Sequence, residues 1–158
     1  MLGSTPRRGG AHLSPDLQEL NLTVKPLAKF MLGMWRFPLG AKAWLLVLMF
    51  TNMMVPLLYV GRTEARVVLL TFMLSFMLML AMTAASGFTR LLGLGHSLWV
   101  PLVAYLFTRL DSIPAGDGYG TWIRAVIMVN SISLVIDAWD VIRFARGERA
   151  EMGAADKE

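Results

Sequence analysis

The stretch WIRAVIMVNSISLVIDAWDVI, residues Trp122–Ile142, decides the fold. It is apolar enough to cross a bilayer, yet it carries Asn130, Ser133, Asp137 and Asp140. At about 100° per residue these four fall within an arc of about 80° on a helix. A helix of this kind turns its two carboxylates toward neighbouring helices and leaves its remaining surface to lipid. A central Asp costs about 3 kcal/mol on insertion scales, and both carboxylates lie toward one end of the run, where that cost is smaller.

Three further stretches have the same character. Ala43–Gly61, Val67–Thr89 and Leu91–Thr108 carry no formal charge. Each is long enough to cross about 30 Å of hydrocarbon at about 1.5 Å per residue. Composition agrees: 56% of residues are hydrophobic, 16% are charged and the mean hydropathy is +0.56. About a quarter of the residues of a soluble domain are charged. The expected fold is therefore an all-α integral membrane protein. It is an antiparallel four-helix transmembrane bundle with spans at about 43–61, 67–89, 91–109 and 122–142, within a domain covering 42–143.

Basic residues suggest the orientation. With the N terminus in the cytoplasm, Arg7, Arg8, Lys25, Lys29, Arg36, Lys42, Arg90, Arg143, Arg146, Arg149 and Lys157 lie inside, and Arg62, Arg66, Arg109 and Arg124 outside. Eleven against four favours cytoplasmic termini in a multi-pass inner (plasma) membrane protein. Trp44 and Trp139 fall at the inner boundary as aromatic anchors, and Tyr59, Tyr105 and Tyr119 at the outer one. The net charge of +4 then reflects topology and attraction to anionic lipid, with no nucleic-acid partner.

Residues 1–13, rich in Gly, Ser, Arg and Pro, read as a disordered lead without the apolar core of a signal peptide. Residues 14–41 read as a cytoplasmic interfacial segment with Ser14 as a helix cap. Within it, Leu27, Phe30, Met31 and Met34 recur at helical spacing and predict an amphipathic helix over 26–37. Pro38 and Gly40 then break the chain before the first span. Residues 144–158 read as a helix extension to about Met152 followed by a polar tail. Asp117, between two glycines in the loop 111–120, reads as a turn residue, because the loop lacks the alternating oxygen ligands of a calcium site.

The candidate site follows from depth. His96 lies five residues beyond Leu91, and Asp137 five residues before Ile142, so the two match at about 8 Å inside the span. Thr83 and Ser86 lie near that level. Asn52 and Asn130 sit near the middle of their spans, and Arg90 and Asp140 form an expected charge pair at the boundary. Pro56 and Pro101 are expected to free the carbonyls of Asn52 and Ser97. Together His96, Asp137, Asn130, Ser133, Asn52, Thr83 and Ser86 define an expected intramembrane polar track.

No cysteine is present, which removes disulfides and thiolate chemistry. The four-residue spacing of Met49 with Met53 and of Met73 with Met77 is read as lipid-compatible packing and not as a copper path. No metal site, cofactor or catalytic residue is assigned. The short loops point to a non-enzymatic membrane protein, oligomeric or an accessory subunit, whose partners are lipid and copies of itself or other membrane subunits. The alternatives are a proton-coupled small-solute carrier or channel using Asp137 and His96, and a membrane enzyme acting on a lipid or quinone-like substrate.

Overall fold

The computed structural model describes residues 15–148, with side chains from Val24 onward. The expected disordered lead, the Ser14 cap and the polar tail lie outside the described residues. Every regular element within them is helical. Helix α1 covers Pro15–Trp35, α2 Leu39–Leu58, α3 Thr63–Ser86, α4 Arg90–Ser112 and α5 Gly118–Ala145. Helices α2 to α5 are each long and apolar enough to cross a membrane.

Helix α1 begins eleven residues before the expected 26–37 segment and continues through Pro26. That proline removes one N–H from the ladder, and the surrounding turns maintain the helix. The chain turns at Arg36 and Phe37, whose N–H groups bond the carbonyls of Gly33 and Met34. Pro38 is extended and directly precedes α2, so the break read at Pro38 and Gly40 is confined to this turn, and α2 starts at Leu39.

On α1, Phe30 is buried and meets Phe76 and Phe88 edge-on at 5.7 Å. Gly33 lies flat against the Phe88 ring, with no room for a Cβ. Replacing Gly33 by leucine is expected to undock α1. Faster proteolysis at Lys25 or Lys29, with the Gly118–Ala145 core still protected, is the readout.

Two of the four long helices depart from regular α winding. In α2, residues Phe50–Met54 form a π turn, with Val55 N–H bonded to the Phe50 carbonyl. Pro56 follows immediately. The N–H that would serve Thr51 in this wide register belongs to Pro56 and does not exist. The Thr51 carbonyl, next to the expected Asn52 carbonyl, therefore lacks that donor, and Trp122 on α5 donates its indole N–H to it at 2.9 Å.

Helix α4 covers the expected span at about 91–109. It opens with seven residues of 3-10 helix, Arg90–His96, continues as α-helix over Trp99–Arg109 and closes with a short 3-10 turn. The Ser97 carbonyl, expected to be free because of Pro101, accepts the Val100 N–H at 3.2 Å. Local tightening closes the gap that the proline leaves.

Helix ends show their causes. Gly87, at φ 76°, terminates α3 and begins the tight turn into α4. Asp117 does more than turn the chain: its carboxylate accepts the Gly120 N–H at 2.6 Å and caps α5. At the far end, Gly147 N–H bonds the Phe144 carbonyl and Glu148 N–H the Arg143 carbonyl. With Gly147 at φ 110° this is a Schellman stop, and α5 ends at Ala145, short of the expected Met152.

The main core joins α2 to α5 through Leu48, Ala65, Val68, Trp99, Leu106 and Ile123. A smaller cluster of Phe30, Phe88 and Leu92 ties α1 to the α3–α4 turn.

Candidate functional site

The four residues of the α5 polar seam, Asn130, Ser133, Asp137 and Asp140, each find a different side chain. Asn130 and Asn52 are fully buried and exchange two amide hydrogen bonds, each 2.9 Å long. The second Asn52 N–H donates to the Leu48 carbonyl at 3.1 Å. Ser133 accepts the Trp44 indole N–H at 3.1 Å. Asp137 Oδ2 lies 2.8 Å from His96 Nδ1, and Asp140 Oδ1 lies 2.6 Å from Arg90 Nη1. The seam thus divides: its first half binds α2 and its second half binds α4.

The 3-10 winding explains the second half. In a 3-10 helix, residues three apart stack over one another, so Arg90, Gly93 and His96 form one stripe facing α5. Gly93 sits at the closest approach, where an added Cβ would lie 2.9 Å from the Asp137 carbonyl oxygen. The pairs Arg90–Asp140 and His96–Asp137 flank this point. In α winding His96 would rotate about 120° away from Arg90, and one helix face could not hold both. The five residues from Leu91 to His96 also rise about 10 Å and not about 8 Å, because 3-10 helix advances about 2 Å per residue.

Chemically, an imidazole 2.8 Å from a carboxylate can share and hold a proton. The His96 ring also lies against Trp99, with centroids 4.1 Å apart. The two side chains retain 14% and 19% of their exposure, so they are less enclosed than the amide pair. Arg90 reaches Glu148 at 3.4 Å, and Arg143 binds that same carboxylate at 2.6 Å. The Arg143 hydrogen bond holds the Glu148 carboxyl below its ordinary pKa.

Thr83 and Ser86 do not join this group. Thr83 is buried and its hydroxyl donates back to the Met79 carbonyl at 2.9 Å, a habit of threonine within helices. Ser86 is exposed on the last turn of α3.

One cluster escaped the sequence reading. Residues 61–66 look like a loop between spans, but α3 already starts at Thr63 and buries Glu64. The Glu64 carboxylate accepts from Arg109 Nε at 3.0 Å and from the Tyr119 hydroxyl at 2.8 Å. Tyr119 in turn packs with Tyr59 and Trp122, the three ring centroids lying 5.2 to 5.7 Å apart. An acid between Arg62 and Arg66 was the available signal. The tyrosines and Trp44, read as interface anchors, therefore also serve internal contacts. Trp139 is exposed.

Comparison with protein-family models, with curated proteins and with solved structures finds no match for this chain.

Proposed function

We propose that this chain is a multi-pass integral membrane protein of non-enzymatic type, working as an oligomer or as an accessory subunit of a membrane assembly. The observation carrying this reading is the complete pairing of the α5 polar face. Asn130, Ser133, Asp137 and Asp140 each engage one side chain on α2 or α4, an arrangement suited to fixing helix register. The order of these contacts supports an antiparallel bundle: along α2, Trp44 meets Ser133 and the later Asn52 meets the earlier Asn130, and along α4, Arg90 meets Asp140 and the later His96 meets the earlier Asp137.

Bilayer residence is supported by what remains outside. Only 17–28% of the most apolar window in each long helix is buried. Leu46, Phe50, Leu70, Val100, Met128 and Val135 all face outward, a surface that water would not tolerate and acyl chains would. We assign the protein to the inner (plasma) membrane with both termini cytoplasmic, on the bias of basic residues. On this reading α1 lies at the cytoplasmic interface, docked through Phe30, with Trp35 and Leu32 directed outward.

Purification in mild detergent tests the proposal. A stoichiometric membrane partner, or a defined oligomer by mass, is the expected result. A homogeneous monomer that recovers no partner from native membranes would reject it.

A second reading has one specific support, the residual exposure of the His96–Asp137 pair. It casts the protein as a proton-coupled carrier or channel, with that pair holding the transferred proton. In liposomes, Asp137→Asn is then expected to abolish a pH-dependent flux. Flux equal to that of the native chain would dismiss the assigned role.

A further inference from the structure

An apolar groove of about 230 Å³ runs between α3 and α4, walled by Val67, Thr71 and Leu74 on one side and by Leu98, Leu102 and Tyr105 on the other. Each wall covers eight residues, about 10 Å of helix from first to last. The groove is open along its length and smaller than the roughly 300–1,000 Å³ of sites that enclose a drug-sized ligand. Its shape suits a strip of hydrocarbon chain lying between two helices.

Charge is placed at one end only. The Arg109–Glu64 ion pair fixes which ends of α3 and α4 meet, so Val67 and Tyr105 form the end of the groove nearest that pair. Arg109 follows Tyr105 by four residues, on the same face of α4. On α3, Arg66 directly precedes Val67, and its guanidinium bends back to Thr63, one turn above Val67. The Arg66–Thr63 bond is 3.4 Å long and exposed.

The other cations at this end have firmer uses. Arg62 lies over the Tyr119 ring at 5.2 Å, and Arg124 binds the carbonyls of Gly120 and Ile113. Arg109 gives its Nε to Glu64 and stays half-exposed. At this end of the bundle Arg62, Arg66, Arg109 and Arg124 stand against Glu64, Asp111 and Asp117, a balance of one positive charge. Arg66 is the guanidinium with the least compensation.

We propose that this corner binds one anionic phospholipid of the surrounding leaflet. One acyl chain lies in the α3–α4 groove, and the phosphodiester is held by Arg66 with Arg109 beside it. A guanidinium presents paired donors matched to phosphate oxygens. The apolar groove begins within one helical turn of both arginines, so a single amphiphile satisfies both halves. The groove does not include His96 or Asp137, so the inference rests on the bilayer residence proposed above and not on the role of that pair.

Native mass spectrometry of the detergent-purified full chain tests this, with phosphatidylglycerol and phosphatidylcholine of identical acyl chains as probes. Phosphatidylglycerol is expected to be retained about fivefold better, the contribution of one arginine near an anionic headgroup. Arg66→Gln is expected to reduce that retention to the phosphatidylcholine level, while Arg36→Gln leaves it unchanged. Leu74→Trp, at an exposed wall position, is expected to weaken retention of both lipids. Equal retention of the two lipids, or phosphatidylglycerol preference intact in Arg66→Gln, would overturn the headgroup assignment. Full competition by chainless glycerol phosphate would overturn the acyl-chain assignment, because the site would then recognise free phosphate.

Discussion

Gly93→Val is expected to lower the stability of the folded protein by about 1–3 kcal/mol, the usual range for forcing extra methyl groups into a packed contact. The cause is local and backbone-based. A Cβ at residue 93 would approach the Asp137 carbonyl oxygen at 2.9 Å and its Cα at 3.1 Å, and main-chain atoms cannot rotate aside as a side chain can. The substituted 3-10 stripe must withdraw from α5, and the Arg90–Asp140 and His96–Asp137 pairs must lengthen with it. Gly95→Ala provides the comparison, because a Cβ there meets the flexible Met79 side chain instead. Thermal unfolding in detergent is expected to rank the native chain first, then Gly95→Ala, then Gly93→Val. Equal loss in the two variants would remove Gly93 from its special position.

The second large effect concerns the amide pair. Asn52→Leu is expected to destabilise the protein by about 1–3 kcal/mol, because Asn130 keeps a buried amide with no partner. The paired change Asn52→Leu with Asn130→Leu is expected to recover much of that loss, since it removes both polar groups together. A double-mutant cycle on detergent unfolding midpoints separates this from simple repacking. Additive losses would show that the two amides do not act as a unit. Neither single variant is expected to disturb the Glu64 cluster, which lies toward the beginning of α5.

These effects also mark how far the primary structure could be read. Three of the four candidate spans stand out because charge-free apolar runs of this length have few other uses. The polar face of α5 is legible for a related reason: α winding is regular there, so spacing converts directly into direction. Matched depth was enough to suggest that His96 and Asp137 meet, and the structure brings them to 2.8 Å. Thr83 was placed at the same depth by the same logic, but depth carries no angular information and its hydroxyl is satisfied within its own helix.

Glu64 failed for a different reason. A loop and the first turn of a helix have similar composition, so residues 61–66 could not be divided by sequence pattern. Burial of Glu64 depends on Arg109 and Tyr119 arriving from residues 45 and 55 positions away.

The sequence by itself determined the number of long apolar helices and the face of α5 that carries the polar pairs. These depend on hydrophobic length and on a period of about 3.6 residues. Tertiary structure decided the winding of α2 and α4. The Thr51 carbonyl is served by a tryptophan on α5. Arg90, Gly93 and His96 share one stripe because two acids and a bare backbone contact on α5 reward the tighter 3-10 turn. Nearby winding alternatives differ little in local energy, so it is the neighbouring helix, absent from any local sequence pattern, that selects among them.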